Sequence, residues 1–221
     1  MVLTAAISVA GSGGERAMSG FSAYFVGLAL GGSLIVAIGA QNAFVLGQGL
    51  RRSYPATTAA VCSVCDALLI SGGVLGIGVA VAAHPAAARL LTLAGAAFML
   101  AYAGLAAWRA ATGGAAASAA TARGDRLSVI GGALAVSLLN PHAYLDAMLL
   151  IGGVAAQTPA AERPAFALGA VSASVLWFFS LGLGAAALSR ALARPAVWRA
   201  IDAATAAMMT VLAVRLLRGL A

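Results

Sequence analysis

Two aspartates stand where aspartates are expensive. Asp66 and Asp146 are each flanked on both sides by long stretches without another charge. An ionised carboxylate at the centre of a membrane helix costs about 2.5 to 3.5 kcal/mol on insertion scales, so such a residue faces a bundle interior or a water-filled cavity and has a task there. Asp66 follows Pro55 by about 16 Å of helix at 1.5 Å per residue, which is close to the middle of a hydrocarbon layer about 30 Å thick. Asp146 ends the stretch Leu139-Asn-Pro-His-Ala-Tyr-Leu-Asp146. Pro141 removes one intrahelical donor and frees the carbonyl of Ser137, while Asn140 and His142 can supply replacement contacts or line a cavity, and Tyr144 adds a hydroxyl. His142 is also the side chain best suited to carry a proton near neutral pH. A plain proline kink needs no aspartate a turn beyond it, so this pattern predicts a broken helix lining a site. Gly39-Ala40-Gln41-Asn42 interrupts an earlier run in a similar way, with amides that can bind a carboxylate or an amine. No arginine deep in a span offers Asp66 or Asp146 a fixed partner, which leaves two carboxylates able to hold a cationic substrate in low dielectric.

Other chemistry is less well supported. Cys62-x-x-Cys65 beside Asp66 has a spacing that could hold a soft metal, but buried thiols acting as small apolar fillers are the better reading, and a disulfide across one helical turn is geometrically poor. No metal and no cofactor is expected. An intramembrane aspartyl protease would pair two aspartates over one proton, yet it would want Tyr-Asp and Gly-x-Gly-Asp where this chain has Cys65-Asp66 and Leu145-Asp146. No catalytic residues are therefore assigned. A Gly-x-x-x-x-Gly-Lys phosphate loop is absent from the sequence, so the chain does not itself use ATP.

The elements that must position these residues are membrane helices. In 221 residues, 62% are hydrophobic and only 9% charged, and the mean hydropathy is +1.00, far outside the range of soluble domains. The net charge of +7 does not form a basic stripe with interleaved aromatics, so nucleic acid is not a partner; all 13 basic residues are arginine, set in short connectors between apolar runs, as membrane topology requires. Six spans are predicted, over 21–46, 55–81, 86–108, 127–155, 164–188 and 196–217. Residues 1–20 form an N-terminal extension with no cationic region ahead of its apolar stretch, which argues against a secretory signal, and Met18 is a candidate start. The longest connector, 111–126, divides the chain into a three-helix half at 21–110 and another at 127–221. Asn42-Ala-Phe-Val45 has an echo in His142-Ala-Tyr-Leu145, and because three is odd, the two halves enter the bilayer from opposite sides. The fold class predicted is an all-α integral membrane protein, six transmembrane helices as two inverted three-helix repeats. The first, third and fifth connectors share a face with Arg51, Arg52, Arg109, Arg123, Arg126, Arg190, Arg194 and Arg199, against five arginines opposite, which favours that face as cytoplasmic and both termini as external.

From residue 21 to residue 217 the chain resembles the lysine/arginine exporter family of bacterial inner-membrane transporters. The resemblance rests on Gly39-Ala-Gln-Asn-Ala-Phe44 with Gln48-Gly-Leu-Arg-Arg52, Asn140-Pro-His-Ala-Tyr-Leu-Asp146, Gly152-Gly-Val-Ala-Ala-Gln157, Ala173-Ser-Val-Leu-Trp-Phe178 and Gly184-Ala-Ala-Ala-Leu-Ser-Arg190, in that order. It implies export of L-lysine and L-arginine, with neutral amino acids handled by related members, and Asp66 and Asp146 as transport residues. The family usually has proline where Ala40 stands, so breakage of the first span depends on Gly39 and is less firmly implied than breakage at Pro141. The resulting expectation is a secondary exporter in the bacterial inner membrane, driven by proton antiport. In it Asp66 and Asp146 hold the substrate's cationic side chain and exchange protons, and Gln41, Asn42 and Asn140 meet its α-amino and carboxylate groups. A neutral amino acid exporter is the nearest alternative and a divalent metal exporter a more distant one; a homo-oligomer is left open.

Overall fold

A computed structural model describes residues 19–36, 39–77, 85–112, 125–189 and 195–218. The proposed extension with Met18, most of the 111–126 connector, and Arg123, Arg190 and Arg194 lie outside these residues.

Among the described residues every regular element is helical. In chain order they are α1 (Gly20–Ile35), α2 (Ala40–Leu50), α3 (Pro55–Val74), α4 (Pro85–Thr112), α5 (Arg126–Leu138), α6 (Pro141–Tyr144), a π-helical segment (Leu145–Ile151), α7 (Gly152–Gln157), a 3-10 turn (Ala160–Glu162), α8 (Arg163–Leu188) and α9 (Pro195–Arg218). Their ends are legible in local chemistry. α3, α4, α6 and α9 each begin with proline, whose missing N–H costs nothing in a first turn. Ser19 Oγ accepts the Ser22 N–H at 3.3 Å at the start of α1, and Asp125 Oδ1 accepts the Ser128 N–H at 3.3 Å at the start of α5, each satisfying one orphan donor. Arg163 donates from Nε to the Thr158 carbonyl at 3.1 Å and from Nη2 to the Ala156 carbonyl at 3.2 Å, so a residue counted above as a topology charge also caps the end of α7.

By length and composition three helices can cross a bilayer, Pro55–Val74, Thr92–Thr112 and Ala160–Leu188, and a fourth crossing results if α1 and α2 are one broken span. The expected fourth span is divided: α5 ends at Leu138, the chain opens at Leu139 and Asn140, and helix resumes at Pro141. Helix α9 covers the expected sixth span, but with Arg199, Asp202, Arg215 and Arg218 it is not among the helices apolar enough to count as a crossing.

The described residues form two compact units, and each draws on both halves of the sequence. One contains those within 1–37, 66–83 and 142–177; the other contains those within 38–65, 84–141 and 178–221. In the first, Ala23, Leu30, Leu69, Ile70, Ala147, Ile151, Phe166 and Ala170 form the core. Close approach there depends on absent side chains: a Cβ on Gly31 would fall 2.9 Å from the Ala170 Cα, and one on Gly73 2.8 Å from the Met148 Cα. Small residues are what allow helices to associate where lipid removes the hydrophobic drive. In the second unit Ala40, Met99, Ala103, Val136, Met209 and Ala213 pack together. Large apolar residues such as Phe21, Leu68, Leu127, Leu168 and Leu176 are exposed, the inverse of a soluble protein and the pattern of lipid-facing surface.

Candidate functional site

Asp66 is 7% exposed and Ser174 fully buried. The Ser174 hydroxyl donates to Asp66 Oδ2 at 2.8 Å, across from α8 to α3 within the first unit. A hydroxyl stabilises a carboxylate without neutralising it, so this hydrogen bond leaves the negative charge in place. Ser174 falls inside the Ala173-Ser-Val-Leu-Trp-Phe178 motif, but its type alone assigned it no role; a serine in an apolar helix more often bonds its own backbone, as Ser172 does to the Leu168 carbonyl at 2.7 Å.

Asp146 belongs to the same unit and is half-buried, the second residue of the π-helical segment. A seven-residue stretch of wide helix is unusual, and such insertions cluster at functional positions. The segment is held against α3 by missing side chains: Gly73 lies against the backbone of Ala147 and Met148, and a Cβ on Gly152 would fall 3.1 Å from the Gly73 Cα. Gly73 lies two helical turns, roughly 10 Å, beyond Asp66 along α3. The structure therefore brings the two aspartate-bearing helices into backbone contact. Tyr144, half-buried, packs on the core of this unit. The backbone of His142 lies in the first turn of α6; its side chain, like that of Pro141, is outside the described residues.

The remaining expected residues belong to the second unit. Gln41 and Asn42 are buried in the first turn of α2, and Asn140 is buried at the opening between α5 and α6. Gly39 caps α2 in extended backbone, φ −126° and ψ −176°, and a Cβ there would meet nothing within 4 Å. One helix thus ends at Ile35 and the next begins at Ala40 without the family's proline. Glycine's low helix propensity and its tolerance at an N-cap supply the physical reason. Cys62 and Cys65 are buried and form no disulfide, and among the described residues no three His, Cys, Asp or Glu come together.

Sequence reasoning missed a third membrane aspartate. Asp202, in the second turn of α9, is buried, and its Oδ1 lies 3.8 Å from Arg109 Nε on α4. The Arg51 guanidinium sits 5.6 Å from the Trp198 ring centroid and that of Arg109 5.8 Å from the Tyr102 centroid. These five residues line one cavity of about 180 Å³ in the second unit. The signal was weaker than at Asp66, since Arg199 stands three residues before Asp202 and breaks the uncharged run on that side.

Interrupted apolar helices that carry buried carboxylates fit the class of membrane transporters. The profile of the LysE type translocator family matches residues 32–220, and the chain belongs to that family. It is 44% identical over 203 residues to YggA of Aeromonas salmonicida, an amino-acid transporter by name, covering 90% of this chain and 97% of that one. To the arginine exporter protein ArgO of Escherichia coli strain K12 it is 40% identical over 199 residues, 90% of this chain and 94% of the relative, with the same figures for ArgO of Klebsiella pneumoniae subsp. pneumoniae. No solved structure matches.

Proposed function

We propose that this translocator exports basic amino acids, L-arginine and also L-lysine, across the bacterial inner membrane in exchange for protons. The observation that carries the reading is the buried Asp66 carboxylate, which accepts a hydrogen bond from the Ser174 hydroxyl between two apolar helices. The names of the ArgO relatives support arginine as the cargo. In this mechanism Asp66 and Asp146 meet the cationic side chain and take up protons when it leaves. Gln41, Asn42 and Asn140 offer amides, and His142 and Tyr144 further polar groups, to the α-amino and carboxylate ends along the path. Moving a cation outward opposes the membrane potential by about 2.3 kcal/mol per charge per 100 mV, so export needs a driving ion, and a proton exchanged at an aspartate supplies one.

Six crossings arranged as two inverted repeats belong to the same proposal. The opening at Gly39 in the first half and that at Leu139 and Asn140 in the second support it, as do compact units that divide the first, second, fourth and fifth runs but leave α4 and α9 whole. Arg51, Arg109 and Asp202, near the first, third and fifth connectors, share a cavity, which supports those connectors lying on one face.

The test is efflux of preloaded labelled arginine and lysine from cells lacking their own exporters, with Asp66→Asn and Asp146→Asn at matched expression. Export of both substrates, lost in either variant and collapsed by an uncoupler, is the expected result. Efflux no faster than in control cells would sink the basic amino acid reading and turn attention to neutral amino acids.

A further inference from the structure

The cavity at Asp202 uses none of the groups assigned to transport, yet it is rich in unsatisfied chemistry. Arg51 Nε, Arg109 Nε and Asp202 Oδ2 are all buried without a hydrogen-bond partner among the described residues. The Arg109–Asp202 separation of 3.8 Å is an ion-pair distance but too long for a hydrogen bond. A buried ion pair held at that distance forgoes the hydrogen bonds that offset its desolvation. The arginines are nevertheless held in place: each guanidinium rests on an aromatic face, and Tyr102 in turn stacks on Phe98. Arg51 precedes a loop in which Arg52 and Tyr54 adopt φ of +53° and +50°, a conformation that costs non-glycine residues energy and collects at functional positions. That loop is pinned by Arg52 Nε donating to Ser189 Oγ at 2.7 Å. Two arginines face one aspartate here, so the cluster has an excess of positive charge, and burial first and the neighbouring Arg109 second hold the Arg51 guanidinium below its usual pKa.

Two buried donors carrying positive charge and one buried acceptor carrying negative charge specify a ligand with both signs close together. A simple anion would satisfy the arginines and be repelled by Asp202; a simple cation would meet the reverse. A carboxylate with an ammonium on the adjacent carbon satisfies all three, and a cavity of about 180 Å³ suits a molecule smaller than those filling the 300–1,000 Å³ of a typical ligand pocket. We propose that this cavity binds the zwitterionic head of a free α-amino acid, its carboxylate between Arg51 and Arg109 and its ammonium on Asp202, beside Trp198. The two guanidiniums disfavour a second positive charge inside, so the cavity reads the part common to all amino acids and leaves side-chain discrimination elsewhere. Binding here goes beyond the export reading; only its role as a loading site on the cytoplasmic face rests on that reading.

Trp198 supplies the readout. In full-length protein purified in detergent, with Trp108 and Trp177 changed to Phe, the remaining indole is titrated with glycine, L-alanine, propionate and ethylamine. Glycine and alanine are expected to give saturable changes, with propionate and ethylamine at least about tenfold weaker. Asp202→Asn and Arg51→Gln should each weaken alanine binding at least about tenfold, and Asp202→Glu, which keeps the charge, should restore most of it and thereby exclude misfolding. Equal affinity for propionate makes this a plain anion site and overturns the proposal. So do a response to phosphatidylethanolamine micelles that alanine does not compete away, and the absence of any response to glycine and alanine. Alanine binding is read at Trp198 in purified protein and arginine export by efflux from cells, so the two readings fail separately.

Discussion

Asp66 and Asp202 are the same residue in the same kind of helix, and the structure treats them in opposite ways. Asp66 accepts a hydrogen bond from a neutral serine; Asp202 sits among two arginines, at ion-pair distance from one of them. A hydroxyl that donates to a carboxylate adds no charge of its own, whereas guanidiniums beside one set both signs close together. Position in an apolar run therefore identifies a carboxylate with a task, and only its neighbours say which task. Exchange is the role proposed for the first, recognition of a mixed-charge group the role proposed for the second.

The largest effect that can break this contrast is on transport. Asp66→Asn is expected to reduce arginine efflux by roughly 30-fold or more, since removing one member of a buried charge pair costs about 2 kcal/mol at least. A variant that still exports at the parental rate would place the cation elsewhere.

Next comes the contact that holds the aspartate-bearing helices together. Gly73→Val forces a side chain into the backbone of Ala147 and Met148, an overpacking worth about 1–3 kcal/mol. The purified protein should melt at a lower temperature and export less, and an unchanged melting curve would mean that α3 and the π-helical segment do not touch through backbone.

Stability sharpens the comparison further. Asp202→Asn removes the carboxylate beside two half-buried arginines and is expected to destabilise by about 1–2 kcal/mol, as loss of a charged partner does. Asp66→Asn should leave the melting temperature close to the parent's, because an amide can still accept from Ser174; a larger drop for Asp66→Asn than for Asp202→Asn would reverse the assignment. The smallest effect is expected of Ser174→Ala. Losing one hydroxyl donor, worth about 1 kcal/mol, should slow efflux roughly fivefold without abolishing it, and an efflux assay at matched expression reads the difference.

Much of this molecule is written in local chemistry. Apolar runs separated by arginine set its class, because a bilayer accepts only helices whose backbone groups are satisfied internally. Prolines at the starts of α3, α4, α6 and α9 and the caps at Ser19 and Asp125 mark where helices begin. The interruptions at Gly39 and at Asn140 before Pro141 follow from glycine's and proline's own backbone limits, and the cost of a charge in hydrocarbon was enough to single out Asp66 and Asp146.

What remained hidden depended on side-chain partners. The helices are apolar all round, so no stripe marks the inward face; that face is chosen by where Gly31, Gly73 and Gly152 let backbones meet. Ser174 carries no signal until α8 is laid beside α3. Asp202, Arg109 and Arg51 are far apart in the chain, and their types announce three charges but not one cavity. Sequence determined which residues must avoid lipid, because that cost belongs to each residue singly. Tertiary structure decided which of them answer one another, because pairing energies exist only between groups that the fold brings within a few ångströms.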